Sequence, residues 1–274
     1  MTDWQPQDLD SAVPPPPRGL RLSVVIPAFN DLAAVLACLN TLQALQAGAV
    51  EYVVQDDNSP NTFFPMLIPA AVAQTYRNAA NLGFAGNCNE GAKHAHGDVL
   101  LLCNQDIQAA PGWSNGWDAA LLAAFADPQV GAVGARLLFP DGSVQSAGGI
   151  IDALKQPYHR CLGYSNPHMP EVSTPADVTW ATGAALAIRA DLFRQLGGFD
   201  TAYARGYWED VDLCMRVREA GYRVFYEPRC TLFHSVGSTG GSPHFLKNAL
   251  LWKSRWVDTG KVKPDVSWAH VRYW

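Results

Sequence analysis

Residues 21–45, RLSVVIPAFNDLAAVLACLNTLQAL, decide the fold. Their first third is a run of β-branched and apolar residues, which reads as a strand buried on both faces. The remainder places Leu32, Val35, Leu36, Leu39 and Leu42 on one helical face, with Asn30 or Asp31 as the N-cap. Between the two stands Pro27, which cannot donate to a ladder and so is expected to end the strand. A buried strand running directly into an amphipathic helix is the opening unit of a parallel α/β sheet.

The same alternation continues outward. EYVVQDDNS (51–59) reads as a second strand ending in acidic and turn residues, GNCNEGAKHAHG (86–97) as a short helix closed by Gly97, and DVLLLCNQD (98–106) as a third strand. GWSNGWDAALLAAFAD (112–127) is an amphipathic helix and VGAVGARLLF (130–139) a strand. Beyond these, DGSVQSAGGIID (141–152) reads as a hairpin, residues 155–177 as a polar loop, TWATGAALAIRADLFRQLGGFD (179–200) as strand then helix, and DVDLCMRVREAGYRVFYEP (210–228) as a helix stopped by Gly221 and then a strand. The expected architecture is a single α/β domain, a mixed but mainly parallel Rossmann-like sheet flanked by helices. Its bounds are 20–242, in two halves at 20–110 and 111–242. A Pro-rich arm (1–19) precedes it and a helical extension (243–274) follows.

Composition narrows the class. A chain of 274 residues with 48% hydrophobic and 16% charged residues can bury a sizeable core, and a net charge of −5 argues against nucleic acid as a partner. No apolar run reaches the roughly 20 residues that span a bilayer, and the N-terminus lacks a basic-then-apolar leader. The six cysteines form no C-x-x-C pair and fall mostly in apolar segments, so we expect reduced thiols and a cytoplasmic setting.

Ligands of open parallel sheets collect outside the carboxyl ends of the strands. Three such ends carry polar groups: Pro27–Asn30, Asp56–Ser59 and Asn104–Asp106. Any one of them reads equally well as a turn; three together suggest a shared pocket. Asp106 is placed to hold a divalent cation beside a diphosphate, since Mg²⁺ takes one or two carboxylates and leaves positions for phosphate. There is no Walker-type or G-x-G-x-x-G glycine loop to do that work instead. Glu209, Asp210 and Asp212 start a helix, where acidic residues also suit the macrodipole; a paired carboxylate at a pocket rim suits a general base. His234 precedes the Gly/Ser/Thr-rich stretch LFHSVGSTGG (232–241).

The order and spacing of these blocks resemble the inverting family-2 glycosyltransferases of GT-A fold, and within them the bacterial rhamnosyl- and galactofuranosyl-type enzymes of surface polysaccharide assembly. The resemblance implies that Pro27, Ala28, Phe29 and Asn30 line a nucleotide pocket with Asp57, Asn89, Asn104 and Gln105. It implies Asp106 and His234 as ligands of Mg²⁺ or Mn²⁺ and Asp210 as catalytic base with Glu209 orienting it or contacting the acceptor. Gly183 falls on the acceptor and sugar side, and Trp180 and Trp208 are candidates for stacking on a sugar face or equally for the core. The donor would be a UDP-, dTDP- or GDP-sugar and the acceptor a glycan or a lipid-linked sugar, at the inner face of the membrane. HFLKNALLWKSRW (244–256) either packs on the core or rests on anionic lipid. One departure stands out: NQD replaces the family's D-x-D, leaving Asn104 where a carboxylate is expected. A nucleotidyltransferase and a non-catalytic nucleotide-sugar-binding domain are the rival readings.

Overall fold

The structure is a computed structural model, which describes residues 19–60, 67–235 and 244–265; most of the Pro-rich arm and the stretch after Ser235 lie outside the described residues. The strands are β1 (Leu22–Ala28), β2 (Val50–Asp56), β3 (Gln74–Arg77), β4 (Val99–Cys103), β5 (Ile107–Gln108) and β6 (Val130–Leu138). They continue with β7 (Val144–Ser146), β8 (Gly149–Ile151), β9 (Pro157–His159), β10 (Ala176–Val178), β11 (Ala185–Arg189) and β12 (Arg223–His234). The helices are α1 (Leu32–Leu45), α2 (Gly83–His94), α3 (Trp117–Ala124), α4 (Pro170–Ser173), α5 (Ala190–Gln195), α6 (Glu209–Glu219) and α7 (Phe245–Trp252). A single π-helical turn, Lys253–Val257, prolongs α7.

The main sheet runs β10-β12-β6-β11-β4-β1-β2-β3, with β5 on β12 and β7 on β6; β8 and β9 form a small separate ribbon. Along that path, four of the seven pairings among the described residues are parallel. The exceptions follow from β11, which lies antiparallel between β4 and β6, and from β10 at the edge. Period-two alternation along β1 sends Val24 and Ile26 toward α1 and α3 and Val25 toward α2 and α6, giving a buried cluster on each face. No hairpin closes within 141–152: β7 pairs back on β6 and β8 pairs forward with β9, so the stretch is an excursion between two ladders, while the loop expected over 155–177 holds β9, α4 and the start of β10.

Two local expectations are corrected. Pro27 does not end β1: the strand continues to Ala28, pairing Pro27 with Gln55 and Ala28 with Asp56. The Ala28 carbonyl accepts from the Asp57 N–H (2.8 Å), so the alternation of a parallel strand turns Pro27's missing N–H toward β4. Pairing with β4 has already finished there at Val25–Leu102, so the proline costs no ladder bond. The second correction concerns α2, which spans Gly83–His94 and turns out of helix at Ala95, before Gly97. At the other helix, Asp31 is the cap of α1, accepting from the Ala34 N–H at 2.9 Å, while Asn30 takes a left-handed φ of 63°.

Candidate active site

The parallel strands β4, β1 and β2 end side by side at Cys103, Ala28 and Asp56, so the three polar strand ends do share one edge. Because β11 is antiparallel to β4, pairing Ala185 with Cys103, its entry residues Thr182–Ala184 reach the same edge from the opposite direction. β12 arrives there too: its last residue, His234, pairs with Ile107 on β5. Groups far apart in sequence are thereby gathered by strand register.

On the nucleotide side, Pro27 and Ala28 are buried core residues, and only Phe29 (39% exposed) and Asn30 offer side chains to solvent. Gln105 extends the β1 edge like a short strand. Its Oε1 accepts from the Phe29 N–H (2.9 Å), and its Nε2 donates to the Phe29 carbonyl (3.2 Å). The two carboxylates of the second strand end differ in duty. Asp56 is fully buried, paired with Arg77 and bonded to Ser59, a turn-building role. Asp57 accepts from the Leu82 N–H (2.7 Å), the Gly83 N–H (2.9 Å) and Asn78 Nδ2 (2.8 Å), which fixes it against the N-terminus of α2. Asn89, expected near the nucleotide, is elsewhere. Its amide donates to the Phe199 carbonyl (2.8 Å) and accepts from the Phe199 N–H (2.9 Å), pinning α2 to the chain that follows α5.

Asp106 and His234 meet. Asp106 Oδ1 is 3.1 Å from His234 Nε2, and Asn104 Nδ2 is 3.2 Å from the same nitrogen. Gln145 Oε1 lies 2.7 Å from His234 Nδ1; an amide oxygen can only accept, so Nδ1 carries a proton and the ring turns its Nε2 toward Asp106 and Asn104. Asn104 Oδ1 is buried and has no hydrogen-bond partner. This donor set, carboxylate, imidazole and an unsatisfied amide oxygen, fits Mg²⁺ or Mn²⁺. Among the described residues no group of three His, Cys, Asp or Glu side chains is arranged to hold a metal ion. Gln145 carries no motif of its own and is visible only once β7 is placed beside β12.

Asp210 and Glu209 begin α6. Asp210 Oδ2 accepts from the Gly183 N–H (2.9 Å), its Oδ1 from the Val211 N–H (2.8 Å), and the Thr182 hydroxyl adds a further bond. Burial raises the Asp210 pKa, and those donors hold it back. Glu209 is more deeply enclosed, with Oε2 unpartnered; burial first, and then the Asp210 charge, push its pKa well above the usual carboxylate value. Gly183 approaches closely: a Cβ there would come within 3.3 Å of both Asp210 Cβ and the Phe84 ring. The two tryptophans, candidates for a sugar face or for the core, are core residues. Trp180 (4% exposed) lies against Gly149 and donates its Nε1–H to the Ile150 carbonyl (3.1 Å). Trp208 (9% exposed) packs beside Phe245 and Trp252.

Comparison with known proteins identifies the fold and the family. The fold is that of the GT-A glycosyltransferases: GalNAc-T7, solved with UDP, GalNAc and Mn²⁺, superimposes with a TM-score of 0.70 at 19% identity, covering 87% of this chain and 48% of its own. Residues 23–176 match glycosyl transferase family 2, and the chain belongs to that family. It is 34% identical over 203 residues to the N-acetylglucosaminyl-diphospho-decaprenol L-rhamnosyltransferase of Mycobacterium tuberculosis, covering 64% of this chain. It is 31% identical over 237 residues to the O-antigen biosynthesis protein RfbC of Myxococcus xanthus, covering 80% of this chain. The match spans 65% of the length of the mycobacterial protein and 18% of the myxobacterial one. Family membership sets the nucleotidyltransferase reading aside. No helix among the described residues is long and apolar enough to cross a membrane.

Proposed function

We propose that this chain transfers a sugar, with inversion, from a nucleoside-diphosphate sugar to a hydroxyl of a glycan or lipid-linked acceptor in polysaccharide synthesis. One observation carries the reading. Consecutive residues at the entry to β11 hold both halves of the site: the Gly183 N–H bonds Asp210, and the Ala184 carbonyl accepts from the Asn104 N–H at 2.9 Å. A base and a cation-holding face are thereby tied to the same two peptides.

In this reading Asp210 accepts the proton of the acceptor hydroxyl as that oxygen bonds to the anomeric carbon. The bond to the diphosphate breaks on the opposite face, and its electron pair leaves with the nucleotide. The raised pKa makes Asp210 a stronger base than a solvated aspartate, and the Gly183 N–H keeps Oδ2 oriented. Asp106, His234 and Asn104 would hold Mg²⁺ or Mn²⁺, which supplies neutralisation of charge developing on the leaving diphosphate. Phe29, Asn30 and the backbone held by Gln105 form the wall against which the nucleoside would lie, and Asp57 Oδ2 retains acceptor capacity for one more donor.

The test is nucleotide release from UDP-, dTDP- and GDP-sugars with Mn²⁺ and no acceptor, since a working site slowly transfers to water. We expect release from one nucleotide class, lost on chelation and in Asp106→Ala. Thermal stabilisation by a nucleotide sugar with no release, and no transfer to any added acceptor, would instead establish the non-catalytic binding reading.

A further inference from the structure

The chain enters α6 through a strained passage. Arg205, Gly206, Tyr207 and Trp208 all have positive φ, at 54°, 101°, 72° and 80°. Three of the four are not glycine, and each such residue costs on its own, so the run persists only if its surroundings impose it. Glu209 and Asp210 follow directly, so whatever imposes the passage also sets where the carboxylates sit.

One side chain bonds along the whole passage. Asn248, fully buried on α7, donates its Nδ2 hydrogens to the carbonyls of Ala204 (3.0 Å), Gly206 (2.9 Å) and Tyr207 (3.1 Å), and its Oδ1 accepts from the Ala204 N–H (3.2 Å). The neighbouring contacts act in the same sense. Trp208 lies 5.9 Å from the Trp252 ring, Trp252 lies 6.1 Å from Trp256, and the Trp256 indole donates to Asp212 Oδ1 at 2.8 Å, one turn into α6. The segment after the family core therefore grips the passage on one side and the helix on the other.

We propose that Asn248 is a positioning residue for the base: it holds residues 205–208 left-handed and thereby keeps Asp210 against Gly183. The idea rests on the glycosyltransfer reading for its rate consequences, but not for its conformational ones. No atom of Asn248 is assigned to substrate.

The experiment compares wild type with Asn248→Ala and with Asn248→Ser, which keeps one donor and covers the case in which the alanine variant does not fold. Folding is checked by circular dichroism. Amide exchange across 204–211 should accelerate at least tenfold in Asn248→Ala, with Asn248→Ser intermediate. Transfer should show a kcat loss of at least tenfold with donor KM within threefold. The acidic limb of the pH–rate profile should move toward that of an ordinary aspartate, because a loosened passage admits water to Asp210. Unchanged exchange in both variants overturns the proposal at the clamp, and faster exchange with kcat and pH limb intact overturns it at the positioning of Asp210. If wild type transfers nothing from any donor, the glycosyltransfer reading fails, while the exchange comparison still decides whether Asn248 sets the passage.

Discussion

Replacing Asp210 by asparagine tests the assignment of the base with the least disturbance of shape. Both carboxylate oxygens accept a backbone N–H, Oδ2 from Gly183 at 2.9 Å and Oδ1 from Val211 at 2.8 Å. An asparagine can satisfy only one of these, and its amide hydrogens oppose the other. Leaving one buried N–H without an acceptor costs about 1–3 kcal/mol. Against this stands relief from burying a negative charge beside Glu209, the burden that raises the pKa of both acids. The two effects have opposite sign, so the variant should fold with only a modest change in Tm. Catalysis has no such compensation: an amide cannot take the acceptor proton, and loss of a general base lowers kcat by about 10²–10⁴-fold, or about 3–5 kcal/mol of barrier. Initial rates of nucleotide release in the presence of acceptor, with donor concentration varied, separate kcat from donor KM. We expect the whole loss in kcat and donor KM within about threefold. A variant that retains kcat within tenfold of wild type would refute the role given to Asp210, whatever its stability.

Other expectations follow from neighbouring groups. Asp210 works ionised and its pKa is raised, so kcat/KM should climb with pH through a limb above the ordinary aspartate value of about 4, as read in a pH–rate profile. Glu209→Gln removes a carboxyl whose charged form burial disfavours, so kcat should fall far less than in Asp210→Asn; an equal loss would show that its charge is used. The same raised pKa gives a stability sign. A neutral buried acid stabilises fully below its unfolded value and that contribution is lost as pH rises through the folded one, so Tm of wild type relative to Glu209→Gln should fall as pH rises above about 4. Gln145→Leu removes the group that fixes the His234 ring and should weaken Mn²⁺ binding about 10–100-fold by titration calorimetry. Gly198→Ala places a Cβ 2.3 Å from Asn89 Oδ1 at a residue with φ of 73°, and should cost about 1–3 kcal/mol by urea unfolding.

What the sequence made legible was what short-range physics controls. Buried strands β1, β2 and β4, the apolar face of α1, the Asp31 cap and the stop at Gly221 all follow from periodicity and turn chemistry within a dozen residues. Asp106, His234 and the Glu209–Asp210 pair were recognised as a set only through resemblance. Their proximity depends on pairings such as Ile107 with His234, which no local pattern encodes. Pro27 was misread because its effect depends on which neighbour its missing N–H would have faced. Asn89, set near the nucleotide by the resemblance, is claimed by the Phe199 backbone, and Trp180 and Trp208, open between sugar face and core, are settled as core by Gly149 and α7, partners that no local pattern reveals.

The antiparallel setting of β11 explains how one sheet can oppose the proposed cation face to the proposed base. In a purely parallel sheet every strand reaches the ligand edge at its carboxyl end, so each brings the residues that lead into the following helix. β11 instead arrives with its amino end, pairing Ala185 with Cys103, and so presents a non-regular turn, Thr182–Ala184, whose peptide groups are not committed to the ladder. One of those peptides donates outward to Asp210 and another accepts from Asn104. A side chain at Gly183 would press on Asp210 and Phe84 at 3.3 Å, which is why glycine suits the position although its φ is unremarkable. The turn thus ties the two halves through backbone: the Asn104 N–H bonds the Ala184 carbonyl, next along the chain from the peptide whose N–H holds Asp210. That link is the same whether residue 104 carries an amide or a carboxylate, so the Asn104 side chain bears on the charge of the proposed cation site and leaves the placement of the proposed base to the backbone.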